Sequence, residues 1–133
     1  MKKITRHQMR ENAFLLVFEK LFREEETVDE ILNLADECDC IVVNESVEAM
    51  FRGVFENLDD IDVLIEKNLK NWKKDRISKV SLAILRLGVY EILNDDIDND
   101  IVASECVKLA ETFAFDEDVS FVNGIIGSVV RAL

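Results

Sequence analysis

The sequence has no proline and only four glycines among its 133 residues. These two residue types end helices and form tight turns, so their scarcity argues against β folds with many turns and favours long helices. Apolar residues make up 49% of the chain, which is enough to bury a core, and charged residues make up 33%. That balance is too apolar for a disordered chain, and the length fits one domain or two small subdomains.

Long apolar runs are missing as well. No segment approaches the roughly 18–20 apolar residues that a membrane-spanning helix needs, and the basic start of the chain is not followed by the apolar segment of a signal peptide. We therefore expect a cytoplasmic protein that does not associate with membranes. The chain has three cysteines and one histidine, and the spacing of Cys38 and Cys40 does not match a zinc-binding motif. We expect reduced thiols, no metal site and no cofactor.

Enzyme motifs are mostly absent. There is no glycine-rich phosphate-binding loop and no H-E-x-x-H motif in the sequence. His7, the one histidine, has no identifiable orienting partner for general-base catalysis. The segment Asp96–Asp100 resembles the start of a calcium-binding EF-hand loop, but Ile101 and Val107 stand where that loop needs glycine and glutamate. We predict a protein without catalytic activity and interpret residues 95–100 as an acidic, solvated loop.

The basic residues of this acidic chain are concentrated in two segments. The net charge is −12, yet residues 1–23 carry +4 and residues 67–88 carry +6, whereas residues 24–66 carry −14 and residues 89–133 carry −8. Exposed charges more than about 8–10 Å apart are largely screened at physiological salt, so a basic segment can attract a phosphate backbone locally. The alternative is that both segments are solvated helix faces.

Apolar residues recur at three- and four-residue spacing along most of the chain. This pattern predicts an all-α fold of about seven helices in two small packed helical subdomains, at about residues 1–74 and 75–133. The predicted helices cover about 5–23, 60–71, 78–93 and 101–113, with two more that begin at Thr27 and near Asn44 and a last one that begins after Asp116 and runs to the end of the chain.

Individual residues sharpen this helical prediction. Thr5 with Gln8, and Thr27 with Glu30, predict capping boxes at the starts of the first two helices. The helix at about 78–93 is the most apolar, so we place it centrally. Gly88 lies in its middle, where glycine costs about 1 kcal/mol relative to alanine, and this predicts the close approach of a neighbouring helix.

The first basic segment has features of a phosphate-binding site. Arg6 and Arg10 lie four residues apart, hence on one face of the first predicted helix, and Lys2, Lys3 and His7 are nearby. Backbone amides at a helix N-terminus add to the attraction for phosphate.

Aromatic residues near the basic segments and before the last helix could stack on unpaired bases. The candidates are Trp72, Phe115 and Phe121. The alternative is that Trp72 and Phe121 belong to the core, as aromatic residues at helical spacing usually do. Arg86 lies in an apolar helix, where a structural ion pair is as consistent with the sequence as a functional role.

Several strings of residues resemble the NusB family in order and spacing. They are Ala83–Leu93, Ser104–Ala110 and Phe121–Ile126, together with Arg6, Arg10, Glu11, Ala13 and Phe18 in the opening helix. The resemblance covers essentially the whole chain, and the segment 24–70 matches by length and helical pattern.

This resemblance implies an all-helical protein without catalytic activity. It implies a transcription antitermination factor that binds the single-stranded boxA RNA element with NusE, a small-subunit ribosomal protein, and acts indirectly on the RNA polymerase elongation complex in ribosomal RNA transcription. The opening helix and the loop 113–120 are expected to form a cationic and aromatic surface for this RNA. The candidate RNA-binding residues are Lys3, Arg6, His7, Arg10, Phe115 and Phe121, and the candidate partner-binding residues are Phe18 and Ser81.

The chain departs from the family pattern at several positions. His7 and Ser120 stand where arginine and lysine are common, which removes positive charge from the expected RNA path. Ser81 replaces a common acidic residue near the NusE contact. Ser104 replaces the usual asparagine, and Asp98 replaces a proline before the sixth helix.

Two other functions are compatible with the sequence. The acidic composition is consistent with a helical protein–protein interaction module, or a homodimer, with little RNA binding. A NusB-like domain also precedes the catalytic domain of some RNA methyltransferases. This chain ends at Leu133 with no cofactor-binding βαβ pattern, so we expect the adaptor rather than the enzyme.

Overall fold

A computed structural model of the protein describes residues 4–38, 41–69 and 76–133. Within these ranges the backbone forms seven α-helices and no strand, which confirms the predicted all-α class. The helices are α1 (Arg6–Phe22), α2 (Val28–Glu37), α3 (Glu45–Glu56), α4 (Leu58–Lys67), α5 (Lys79–Asn94), α6 (Asn99–Phe113) and α7 (Asp116–Ala132).

Threonine side chains begin α1 and α2. Thr5 Oγ1 accepts a hydrogen bond from the backbone N–H of Gln8 at 3.0 Å, and Gln8 Oε1 accepts one from the N–H of Thr5 at 2.9 Å. Thr27 and Glu30 form the same reciprocal pair. Both predicted capping boxes are confirmed, and each satisfies two amides that the first helical turn cannot pair internally.

Polar side chains also begin α3, α5 and α6. Asn44, Ser78 and Asp98 each accept a hydrogen bond from a backbone N–H of the following turn, at 2.8, 3.1 and 2.8 Å. Because Asp98 acts as the cap, α6 begins at Asn99, two residues before the predicted start. The acidic loop therefore ends in a helix cap.

The first compact unit, Met1–Glu56, contains α1, α2 and α3. The three helices pack on one another around a small apolar core, and Asn12 Oδ1 on α1 accepts a hydrogen bond from the N–H of Val42 at 3.3 Å. The core residues include Ala13, Phe14, Leu16, Val17, Ile31, Val47, Phe51 and Val54, each at most 1% exposed. This apolar middle of α1 holds the helix in place and leaves its first turn at the surface.

The second compact unit, Asn57–Leu133, is built around α5. Helices α4, α6 and α7 all contact α5, and every residue from Ser81 to Val89 is buried, which confirms its predicted central position. A Cβ atom placed on Gly88 would collide with Cys106 Sγ of α6 and lie 3.3 Å from Ile126 Cδ1 of α7. The predicted close approach at Gly88 is confirmed, and two helices make it.

The division between the units differs from the predicted one near residue 74. Helix α4 belongs to the second unit, since it packs on α5 and α7 of that unit. Its inward residues Ile61 and Ile65 are fully buried. The predicted placement of this helix in the first subdomain followed chain order, whereas its apolar face packs on helices that come later in the sequence.

Candidate nucleic-acid interface

The start of α1 presents positive charge. Arg6 is the first residue of the helix and is exposed, and the first turn contains no acidic residue. The partial positive charge of the helix N-terminus is therefore not neutralised locally, and it adds to the charge of Arg6. His7 follows with its side chain 41% exposed, and its Nε2 atom lies 3.6 Å from Glu11 Oε1. Together Arg6 and the helix N-terminus can attract a phosphate.

Arg10 differs from its sequence-based prediction. It is only 3% exposed, although it stands four residues after Arg6. A buried guanidinium is not available to an RNA phosphate at the surface. Of the two arginines predicted to contact phosphate, Arg6 and Arg10, only Arg6 is therefore exposed for this role. Lys3, the other basic candidate here, lies outside the described residues.

An aromatic ladder runs along α1. The rings of Phe14 and Phe18 stack with centroids 5.8 Å apart, and Phe18 meets Phe22 edge-to-face at 5.0 Å. Exposure rises along it, from 1% at Phe14 through a half-buried Phe18 to 61% at Phe22. The partner-binding role of Phe18 stays a prediction. Phe22 was not among the sequence candidates, although its four-residue spacing from Phe18 is the signal that could have identified it.

A second aromatic surface lies at the start of α7. Only two residues separate the end of α6 from the start of α7, and Phe115 is one of them. The Phe115 side chain is 78% exposed, which makes it the most exposed of the large apolar residues described. Phe121, one and a half turns into α7, is half-buried. Phe115 therefore presents a ring face to solvent, while Phe121 can offer only part of its ring.

The electrostatics of this second surface are opposite to those at the start of α1. The first turn of α7 carries three acidic residues, Asp116, Glu117 and Asp118. The sequence has no lysine or arginine between Lys108 and Arg131. These carboxylates stabilise the helix dipole and repel phosphate. The surface is thus suited to stacking on a base rather than to holding the RNA backbone.

A hydrogen-bond cluster fixes the turn before α7. Asp118 Oδ1 accepts hydrogen bonds from the hydroxyl groups of Ser78 and Ser81, at 3.0 and 3.1 Å. Asp118 Oδ2 accepts one from the backbone N–H of Phe115 at 3.2 Å. Ser81 is fully buried, which contradicts its predicted role as a surface contact for a partner. Its hydroxyl group instead connects α5 to α7.

The second basic segment is only partly described. Lys67, Arg76 and Lys79 are exposed, whereas residues 70–75, with Trp72 and the predicted lysine cluster, lie outside the described residues. Arg86 is 7% exposed, and its Nε and Nη2 atoms donate to Asp62 at 3.0 and 2.9 Å. Of the two roles that the sequence left open for Arg86, the structure shows the ion pair.

The acidic segment 24–66 has one basic residue, Arg52, and neighbouring carboxylates hold it. Arg52 forms ion pairs with Asp29 and Glu48. The hydrogen bond that Arg52 donates to the Asp29 carboxylate raises the pKa of the Arg52 guanidinium above its ordinary value, and Glu48 adds to the effect. This segment therefore offers no cation to RNA.

Two further searches cover only the part of the chain that the structure describes. There, no helix combines the length and apolarity needed to cross a membrane. Nor do three or more cysteine, histidine or acidic side chains in those ranges come together as metal ligands.

Known proteins resemble this chain in sequence and in structure. The NusB family model matches residues 7–131. The transcription antitermination protein NusB of Clostridium novyi (strain NT) is 35% identical over 133 residues, covering 97% of this chain and 100% of that protein. T. maritima NusB has a TM-score of 0.85 at 30% identity, covering 98% of this chain and 93% of that one. A structure of the antitermination factors NusB and NusE in complex with dsRNA has a TM-score of 0.83 at 26% identity, covering 96% and 97%.

Proposed function

The chain belongs to the NusB family, and on that premise we propose that it is a transcription antitermination factor that binds boxA-type single-stranded RNA together with NusE. It acts in the cytoplasm as a binding protein without catalytic activity, and it reaches the RNA polymerase elongation complex indirectly, through its RNA and NusE. The observation that carries this proposal is the similarity, over 96% of the chain, to NusB in a complex with NusE and dsRNA.

The described surfaces supply complementary contacts for such an RNA. The exposed Arg6 and the acid-free first turn of α1 are suited to phosphate. The ring of Phe115, 78% exposed and flanked by carboxylates, is suited to a base. Because an aromatic ring can stack only on a base whose face is open, Phe115 favours single-stranded RNA over a duplex.

The experiment is a fluorescence-anisotropy titration of labelled boxA RNA with the full chain, with and without purified NusE, over a salt series. We expect binding that is tighter with NusE, since two weak surfaces on one RNA raise the effective concentration of each. We also expect affinity to fall as salt rises. A duplex of the same sequence and a single strand with the boxA bases scrambled are the controls.

An absence of RNA binding in the presence of folded NusE would contradict the proposal. Equal affinity for the duplex and the single strand would contradict the role assigned to Phe115 and leave the RNA-binding function standing.

A second candidate function is a protein–protein interaction module or homodimer with little RNA binding. The observation that favours it is a surface groove of about 430 Å³ in the second unit, lined in part by Val63, Leu93 and Leu133, which are 49%, 42% and 64% exposed. Sizing at low and high protein concentration distinguishes the two functions. A concentration-dependent dimer without RNA binding supports the second.

A further inference from the structure

We propose that Asp118 is a positioning residue for RNA binding, which holds the turn before α7 so that Phe115 presents its ring to an unpaired base. The inference rests on the proposed RNA-binding function and adds a residue and a physical role to it. Asp118 itself touches no base in this proposal, because it acts through Phe115.

The two oxygens of the Asp118 carboxylate have different tasks. One oxygen accepts from the hydroxyl groups of Ser78 and Ser81, at 3.0 and 3.1 Å, and so fastens the first turn of α7 to the first turn of α5. The other accepts from the N–H of Phe115 at 3.2 Å and fastens the turn to α7. The carbonyl oxygen of Phe115 accepts in return from the N–H of Asp118 at 2.9 Å.

Phe115 needs such a restraint because burial does not provide one. A side chain that is 78% exposed gains little from the hydrophobic effect, so packing does not hold the turn. A backbone turn that is ordered before binding loses less conformational entropy when a base stacks on the ring it carries, which makes the complex tighter. The α5 end of the restraint is firm, since Ser81 is fully buried.

Because Asp118 is negatively charged, the positioning role can be tested by whether removal of this charge strengthens or weakens RNA binding. Asp116 and Asp118 stand in the same turn of α7, and loss of either negative charge lowers the repulsion of phosphate. Electrostatics alone therefore predicts that Asp116→Asn and Asp118→Asn both strengthen RNA binding slightly. Positioning predicts opposite signs, because asparagine has one acceptor oxygen where the Asp118 carboxylate uses two, so the bonds from Ser78, Ser81 and the Phe115 N–H cannot all be kept.

The experiment measures dissociation constants of single-stranded boxA RNA for the full chain with NusE. We expect Asp118→Asn to weaken binding by about three- to tenfold, the range that corresponds to one hydrogen bond. We expect Asp116→Asn to leave binding unchanged or to tighten it by up to about twofold, since exposed charges are screened. Circular dichroism melts establish that both variants are folded at the assay temperature.

A double-mutant cycle with Phe115→Ala shows whether Asp118 affects RNA binding through Phe115 or only through the stability of the fold. If Asp118 acts through Phe115, then Asp118→Asn weakens binding in the wild-type background and has no further weakening effect once Phe115 is alanine. RNA carrying 2-aminopurine in place of one boxA adenine at a time reports stacking directly, and Asp118→Asn should reduce the fluorescence change on binding at the same position as Phe115→Ala does.

If Asp118→Asn does not fold, the variant Ser81→Ala tests the same inference. It removes one of the two hydroxyl donors without changing any charge, and we expect about twofold weaker RNA binding. Wild-type affinity in folded Ser81→Ala and Asp118→Asn proteins, or the same loss from Asp118→Asn in both backgrounds, overturns the inference. A wild-type chain that binds no RNA overturns the proposed function instead.

Discussion

Helices α1 and α7 belong to different units and begin in opposite ways, and the start of each is a candidate RNA-binding surface. The first turn of α1 has no acidic residue and displays Arg6, while the first turn of α7 has three acidic residues and follows the exposed Phe115. Both helix N-termini carry the same partial positive charge. At α1 it remains available to an external anion, and at α7 the protein's own carboxylates neutralise it.

Under the proposed function, this contrast divides the RNA contacts of an acidic protein into two kinds. Phosphate contacts depend on salt, whereas stacking on a base depends on it little. The start of α1 should therefore contribute the salt-dependent part of the affinity and the start of α7 the salt-independent part. The net charge of −12 does not prevent this division, because distant exposed charges are screened.

The largest effect on RNA affinity is expected at the α7 start. Phe115→Ala should weaken binding of single-stranded boxA RNA by about 5- to 140-fold, the range that corresponds to loss of one base–aromatic stack. The factor should be the same at every salt concentration, because no charge is removed. Anisotropy titrations at four or more salt concentrations measure both quantities.

Phe22→Ala is the matched control for this experiment. Phe22 is also an exposed aromatic residue, at 61%, but it lies at the far end of α1. In titrations without NusE, where the aromatic residues of α1 have no partner to contact, we expect less than a twofold change in affinity. A loss of binding equal to that of Phe115→Ala would show that the α7 start has no special role.

A smaller effect of a different kind is expected at the α1 start. Arg6→Ala should weaken binding by about three- to tenfold at low salt, and it should reduce the slope of log K against log salt by about 0.7–1, the contribution of one phosphate contact. The same titrations give this slope. A loss of affinity with an unchanged slope would mean that Arg6 does not contact phosphate.

Arg10→Ala, compared with Arg6→Ala, tests whether a buried arginine of α1 contributes to RNA binding as an exposed one does. Because Arg10 is 3% exposed, its removal should leave the salt slope unchanged and lower the free energy of unfolding by about 1–3 kcal/mol. Urea denaturation followed by circular dichroism measures the second quantity. A reduced slope in the folded variant would restore the surface role that the sequence predicted for Arg10.

Much of the fold could be predicted from the sequence because local signals determine it. Thr5 and Thr27 form the capping boxes that their spacing from Gln8 and Glu30 predicts. Such interactions lie within one turn. Gly88 was also informative, since a glycine in the middle of an apolar helix has few explanations other than close packing.

The site was less predictable because its decisive contacts join distant residues. The Ser81 hydroxyl bonds to Asp118, 37 positions later, and Arg86 pairs with Asp62, 24 positions earlier. The four-residue spacing of Arg6 and Arg10 correctly indicates one helical face, but spacing does not say where along that face the surface ends. Tertiary packing decides that Arg6 is exposed and that Arg10 is buried.

The smallest expected effect tests whether the geometry of the α1 start matters beyond its charge. Thr5→Ala removes the cap that holds the first turn, and Thr27→Ala removes an equivalent cap from α2 of the same unit. Each should lower the free energy of unfolding by about 0.5–2 kcal/mol, since the same capping box is lost. Only Thr5→Ala should also weaken RNA binding, by about twofold, because fraying of the first turn disorders the amides and Arg6 together. Urea titrations and anisotropy on the same preparations measure both quantities. Equal RNA affinities for the two variants would mean that only the charge of Arg6, and not the geometry of the first turn of α1, contributes to RNA binding.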